Sequence, residues 1–435
     1  MGRRTEKSGR VQVPQTVAEP SARELMPLLR QLILPMVAGM MQTKRTMQSM
    51  VVELGLASME ALFEAQAEVL AGPKHRHQPG RTMNHWGTTE TEFPFAGRKV
   101  RVRRPRVRSK DGEVQIPFVR ELQQNDPLPE VVVDRILLGV STRGYADSLD
   151  PTPDVLEAHG DSKSAASRHL VKETQRRMKE FTTKKLDTID LAALMLDGIV
   201  VAKHTVIVAL GIDVHGMKHA LGLWVGSTEN KAVCVSLLQD LLARGLRIEG
   251  RLLCVIDGSK GIRSAIDEVF GTGAMVQRCQ NHKRRNVTEQ LPEGKRAYAN
   301  RMLSQAYKAR SYDTAKKTLK ALLSWLQNND EPDAAASLKE GMDETLTVLK
   351  LKLPTTLTRS LSTTNAIENL MGSIRTTTRN VKRWTPGSSM LKRWVTLGIC
   401  QAATRFRAIN GKSGMPTLVA ILRKSERLDS NQEAA

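Results

Sequence analysis

Asp197, Asp257 and Glu368 are carboxylates whose settings in LMLDGIVV, VIDGSKGI and TTNAIENLMG suit metal-assisted chemistry. Hard divalent cations such as Mg²⁺ take oxygen ligands, and a cluster of carboxylates on rigid elements supplies them. Two such ions about 3.5–4 Å apart activate a hydroxyl nucleophile and stabilise a leaving oxygen, which is what phosphoryl transfer between nucleic-acid strands requires. Each residue also has a structural reading. Asp197–Gly198 is a DG pair between apolar runs, a hairpin-turn signal. Asp257–Gly258 can simply end a strand. Asn365 followed three residues later by Glu368 approaches a capping box. Asp213, Asp267 and Glu229 compete as ligands, but Asp213 precedes a turn and Asp267 falls on an exposed helix. Spacing alone leaves these alternatives open.

The 435 residues carry a net charge of +21, far more than solubility requires. Such an excess is expected of proteins that hold polyanions, because each Lys or Arg on a phosphate releases counterions. The hydrophobic fraction of 40% supports a folded core, and the length allows several domains. An aromatic content of 4% counts against the stacking platforms of single-strand RNA modules. Cys234, Cys254, Cys279 and Cys400 are scattered and read as reduced thiols of a cytoplasm. No apolar run reaches the roughly 20 residues of a membrane span. A cytoplasmic, nucleoid-associated protein without membrane contact is expected.

The elements that must position the carboxylates follow from the pattern. Residues 1–20 read as a disordered tail, and 21–71 as a Met-rich helical region suited to packing or to dimerisation. Residues 72–125 read as a loop, with His75, His77 and His85, followed by a basic β-hairpin. There Arg98, Lys99, Arg101, Arg103, Arg104, Arg106, Arg108 and Lys110 crowd together and alternate with Val100 and Val102. A run this dense repels itself unless a polyanion lies beside it, so a phosphate-gripping ribbon is expected. Residues 126–187 read as helical. A short helix near Val131–Leu138 precedes one over Lys163–Lys179, capped by Asp161 or Ser162. Lys163, Ser164, Ser167 and Arg168 in its first turns suit phosphates and base edges, as in a helix-turn-helix.

Composition changes at Leu191. Three β-branched-rich strands, with a turn at Gly216, lead into alternating strand and helix, and Asp197 falls in the first strand and Asp257 at the end of the fourth. The expected fold is α/β, an RNase H-like mixed sheet flanked by helices over 188–282. An all-α insertion follows at 283–358, the core resumes at 359–410, and a tail fills 411–435. Lys283, Arg284 and Arg285, with Arg375, Arg379, Lys382 and Arg383, bracket the carboxylates with positive charge for DNA. Trp325 and Trp384 read as core residues or as stacking platforms for a base. Cys279-x-x-His282 is half a zinc site with no second pair; a buried Cys beside a capping His is the alternative.

The segments LMLDGIVV, VALGIDVHGMKHALGLWVGSTEN, VIDGSKGIRSAI, QRCQNHKRRNV and STTNAIENLMGSIR stand in one order. In that order the chain resembles the Mutator-type transposases of bacterial insertion sequences from about Gly80 to Arg407. The resemblance implies an RNase H-like Asp-Asp-Glu enzyme with Asp197, Asp257 and Glu368 catalytic and metal-binding. It also implies that Cys279 and His282 lie near the site, His282 positioning the scissile phosphate. The 111-residue step from Asp257 to Glu368 accommodates a helical insertion. Implied with it are two Mg²⁺ or Mn²⁺ ions per site, double-stranded DNA partners (terminal inverted repeats and target) and a homodimer or higher assembly. A catalytically inactive transposase-derived DNA-binding regulator is the rival.

Overall fold

The computed structural model describes residues 44–76, 79–150, 157–226, 230–385 and 387–424. The expectations for the N-terminal tail, for 21–43, His77, Glu229 and the residues after 424 lie outside these. The chain forms two compact units, Met1–His169 and Leu170–Ala435.

The first unit builds a small sheet on a long helix. Helix α1 (Lys44–Ala71) precedes strands β1 (Met83–Phe95), β2 (Arg98–Ser109) and β3 (Gly112–Val114). Helices α2 (Pro117–Gln124) and α3 (Leu128–Leu137), strand β4 (Ala158–His159) and the start of helix α4 (Lys163–Thr183) complete it. Phe63 and Ala67 of α1 pack on Phe93, Val100, Val102 and Val107, closed by Ile116 and Val119. Buried Val and exposed Arg alternate along β2, as a half-solvated strand requires.

Two expectations are corrected here. The loop expected to hold His75, His77 and His85 stops short of His85, because β1 begins at Met83 and pairs antiparallel with β2. Its polar outward face and a register shift between His85 and Thr88 hide the two-residue period. The tight β1–β2 turn sits at Ala96–Gly97, both at positive φ (49° and 82°). A side chain at Gly97 would meet Leu149 at 2.5 Å, so only glycine fits. The second correction concerns the helix-turn-helix. α3 and α4 are separated by residues 138–162, which hold a short 3-10 turn and β4, and β4 adds to β2. No tight turn joins the two helices.

In the second unit, β5 (Leu191–Val201), β6 (His204–Asp213), β7 (Lys218–Gly226), β8 (Leu252–Ile256) and β9 (Ala274–Arg278) form one mixed sheet ordered β7-β6-β5-β8-β9. The β7-β6-β5 pairs are antiparallel and the β5-β8-β9 pairs parallel. Helices α5 (Lys231–Ala243) and α6 (Lys260–Phe270) bury one face, against Leu194, Leu196, Cys254 and Ile256. Next come α7 (Gln280–Glu289), α8 (Glu293–Tyr307), α9 (Tyr312–Asn328), α10 (Pro332–Lys339) and α11 (Thr347–Lys350). They share a core of their own, built on Leu303, Leu319, Leu322 and Leu338. The chain then returns through α12 (Thr355–Leu361), α13 (Asn365–Thr378), α14 (Met390–Ala403) and α15 (Met415–Lys424). These cover the other face, around Met195, Val208, Leu253 and Val255. The architecture is therefore mixed α/β, with strands buried on both faces and accordingly continuous apolar runs. Among the described residues, no helix is long and apolar enough to cross a membrane.

Candidate active site

Asp197 and Asp257 stand side by side in the sheet. β5 and β8 pair in parallel with Leu196 opposite Ile256; Asp197 is the next residue of β5, and Asp257 is the first residue past the end of β8. Neighbouring strands lie about 4.8 Å apart, so the two carboxylates leave the sheet at level positions. Side chains alternate, so both share the face of Met195 and Val255, the face that α13 covers through Ile367, Leu370 and Met371. The turn reading of Asp197 does not hold. Asp197 pairs with Val208 inside β5, and the hairpin turns instead at Ala202–Lys203, with φ of 50° and 67°. The strand-end reading of Asp257 does hold: its Oδ1 accepts the Ser259 N–H at 2.9 Å. Ser259 in turn caps α6 through the Ile262 N–H.

Glu368 lies in the first turn of α13, on the same side of the sheet. Its capping-box reading fails, because Thr364 rather than Asn365 is the N-cap and the Thr364 N–H donates to Cys279 Sγ at 3.4 Å. Thr364 Oγ1 donates to Glu368 Oε1 at 2.7 Å and lies 3.3 Å from both Cys279 Sγ and His282 Nδ1. His282 Nδ1 is 3.8 Å from Glu368 Oε1. Cys279 is wholly buried at the start of α7, and its N–H donates to Ile256 O at 2.7 Å. Sequence reasoning missed Thr364. The available signal was the run of Ser and Thr ahead of an apolar helix, which marks an N-cap.

The electrostatics favour a charged imidazole. A hydrogen bond to Cys279, with the charges of Cys279, Glu368 and Asp257, outweighs burial and lifts His282 to about 9. Burial pushes the Cys279 thiol up, but bonds to His282 and Thr364 outweigh it and leave the thiol below its ordinary value. Among the described residues, Cys279, His282 and Glu368 form the group whose ligand atoms all lie within 4.8 Å of one another; the three carboxylates do not form such a group. The Cys279 sulfur already accepts the Thr364 N–H in a closed interior. It is placed to orient its neighbours rather than to take a soft metal.

The competing acids have structural work. Asp213 Oδ1 accepts the His215 and Met217 N–H groups, each at 2.8 Å, across the β6–β7 turn, and its Oδ2 meets His219. Asp267 pairs with Arg263 one helical turn away.

The cationic residues divide. Arg285, Arg375, Arg379, Lys382 and Arg383 are exposed, and Arg284 is half-buried. Lys283 is a correction. It is 4% exposed, and its Nζ donates to Ser337 O and Glu340 O, each at 2.7 Å, at the C-terminal end of α10. It ties α7 to α10 within the insertion and does not face DNA, because two carbonyls and burial leave no path for a phosphate. In the first unit Lys163, Ser164, Ser167 and Arg168 are exposed on one face of α4, opposite buried Ala165 and Ala166. Ser162 Oγ caps that helix through the Ala165 N–H. Part of the basic strand is neutralised by acids of the protein itself. Glu157 pairs with Arg101 at 2.6 Å, and Glu113 pairs with Arg106 at 2.7 Å and with Arg104 at 3.5 Å. Arg103 bonds Thr88 Oγ1, and Arg108 lies over the Trp86 ring. Trp325 stacks on Tyr298 at 4.4 Å against the insertion core, and Trp384 lines a cavity of about 450 Å³ with Val225 and Lys392.

The fold and site thus define a mixed α/β protein with carboxylates on one sheet face and a separate helical insertion. The family model described as "Transposase, Mutator family" matches residues 31–408. The chain belongs to that family. The transposase for insertion sequence element ISRM5 of Rhizobium meliloti (strain 1021) is 28% identical over 347 residues, 77% of this chain and 83% of that protein. A probable transposase for an insertion sequence element of Corynebacterium diphtheriae is 28% identical over 248 residues, 56% of this chain and 69% of that protein. The transposase for insertion sequence element IST2 of Acidithiobacillus ferrooxidans is 30% identical over 200 residues, 43% of this chain and 66% of that protein.

Proposed function

We propose that this chain is the transposase of an insertion sequence, cutting the DNA at its element's terminal inverted repeats and joining the freed ends to a target. Asp197, Asp257 and Glu368 are the ligands of two divalent cations, Mg²⁺ or Mn²⁺. The observation that carries this reading is the level placement of Asp197 and Asp257 on adjacent parallel strands, under the helix that bears Glu368. The strand order and the switch from antiparallel to parallel pairs support an RNase H-like sheet. The helices between Asp257 and Glu368, with their own core, support an insertion that leaves the sheet intact.

The donor set fits hard cations: three carboxylates, each only partly covered, at the edge of a rigid core. When bound, the ions supply an activated nucleophile and a stabilised leaving oxygen. Asp197 holds its ligand oxygens within the paired strand β5, and Asp257 holds its own at the end of β8. His282, held protonated beside Glu368, is placed to neutralise the scissile phosphate. Exposed Arg375, Arg379, Lys382 and Arg383 hold the DNA backbone nearby. Arg101, Arg103 and Arg108, with the exposed face of α4 at Lys163, Ser164, Ser167 and Arg168, grip the repeat. A homodimer pairs the two ends.

Labelled terminal-repeat DNA incubated with the protein and Mg²⁺ should be nicked, and Asp257→Asn should bind the same DNA without nicking it. Binding with no nicking by the wild type would make the chain a DNA-binding regulator. Equal nicking by the mutant would remove Asp257 from the site.

A further inference from the structure

Building on the carboxylate reading above, we propose that Thr364 is a positioning residue that fixes Glu368 relative to the strand carrying Asp257. Glu368 lies 111 residues beyond Asp257, on a helix that returns after the insertion. Something must set where its carboxylate arrives. The path of hydrogen bonds is short, and it is buried as far as Thr364. The Cys279 N–H donates to Ile256 O, the residue before Asp257, at 2.7 Å. Cys279 Sγ accepts the Thr364 N–H, and Gln280 N–H donates to Ser362 O at 3.0 Å. Thr364 Oγ1 then reaches Glu368 Oε1 at 2.7 Å.

The hydroxyl has one proton and two neighbours that could take it. The 2.7 Å carboxylate bond is short and charge-assisted, whereas the sulfur at 3.3 Å is a weak acceptor, so the proton goes to Glu368. The remaining lone pair of Oγ1 then accepts Nδ1–H of His282 at 3.3 Å. Thr364 therefore sets the orientation of Glu368 and accepts the Nδ1–H of His282. Thr364 is wholly buried, so its own rotamer is locked by packing. Groups behind a metal ligand commonly change metal affinity by about 10–100-fold when removed.

The test compares Mn²⁺ binding to the full chain, by calorimetry without DNA, for wild type, Thr364→Val, Thr364→Ala, Thr364→Ser and Glu368→Gln, with thermal melts alongside. Valine and alanine keep the backbone N–H to Cys279 but lose the hydroxyl. Both should weaken Mn²⁺ binding by about tenfold or more at a melting temperature near that of the wild type. Serine keeps the hydroxyl and should bind as the wild type does. Wild-type affinity in the valine and alanine variants, with Glu368→Gln impaired, overturns the positioning role alone. Weakened binding in the serine variant overturns it too. Wild-type affinity in Glu368→Gln overturns the ligand reading itself.

Discussion

Asp197 and Asp257 each follow a residue of the same parallel pair, Leu196 and Ile256, and so sit level, Asp197 within β5 and Asp257 at the end of β8. No loop intervenes between them. Their relative position is set by the register of the ladder, and a one-residue slip would turn one of them into the opposite core.

This register yields a discriminating prediction. Asp197→Asn should abolish nicking of terminal-repeat DNA while leaving the melting temperature near wild type. Asp213→Ala should do the reverse. It removes the acceptor of two turn amides and the partner of His219, at a cost of about 0.5–1.5 kcal/mol per lost bond. Nicking assays and denaturant melts on both variants separate chemistry from turn geometry.

Lys283 and Arg285 are neighbours with opposite fates. Lys283→Met leaves the carbonyls of Ser337 and Glu340 without their donor and should destabilise the protein by about 1–3 kcal/mol. Its DNA affinity should match that of the wild type in any salt at which both are folded. Arg285→Ala should keep full stability. If Arg285 contacts a phosphate, the slope of log K against log salt should fall by about 0.9. A reduced slope in Lys283→Met would contradict its buried placement.

The arginines of β2 should not behave alike either. Among the described residues, Arg103 and Arg108 are exposed and face no acid within ion-pair distance, whereas Arg104 and Arg106 share Glu113. Arg103→Ala and Arg108→Ala should weaken binding to DNA of any sequence and lower the salt slope. Glu113→Gln should strengthen binding, because it releases two guanidinium groups. Fluorescence anisotropy over a salt series reads both effects.

Acid stability should depend on Glu173. Burial raises its carboxyl, but hydrogen bonds to Arg176 and Arg177, aided by their charges, outweigh that and hold it below the ordinary 4.5. A carboxyl depressed in the folded state adds stability that is complete above its unfolded value and is lost as pH falls through the folded one. The melting temperature of wild type should therefore exceed that of Glu173→Gln most clearly above pH 4.5, and the gap should shrink on acidification. A gap that stays constant from neutral pH down to the acid transition would refute this.

Much of the fold was legible locally. LLCVI before a DG pair reports a buried strand that ends at Asp257, because a strand covered on both faces is continuously apolar. The helix beginning at Lys163 was legible from its cap and its small buried residues. β1 was not, since its outward face is polar and a register shift breaks its period. Asp197 carried a turn signal that the pairing with Val208 overrode; the turn fell on Ala202 and Lys203, which carry no glycine.

The sequence by itself determined which residue types were present, where apolar runs demanded burial, and that the surface would be strongly cationic. Periodicity records whether a side chain must leave water, and that is a local property. Only the tertiary structure decided which buried groups meet. It set Asp197 level with Asp257, brought Thr364 to Cys279 across 85 residues of chain, and sank Lys283 between two carbonyls. Those partners are separated by more residues than any local pattern spans, so their pairing depends on how the sheet orders its strands and how the insertion returns the chain to it.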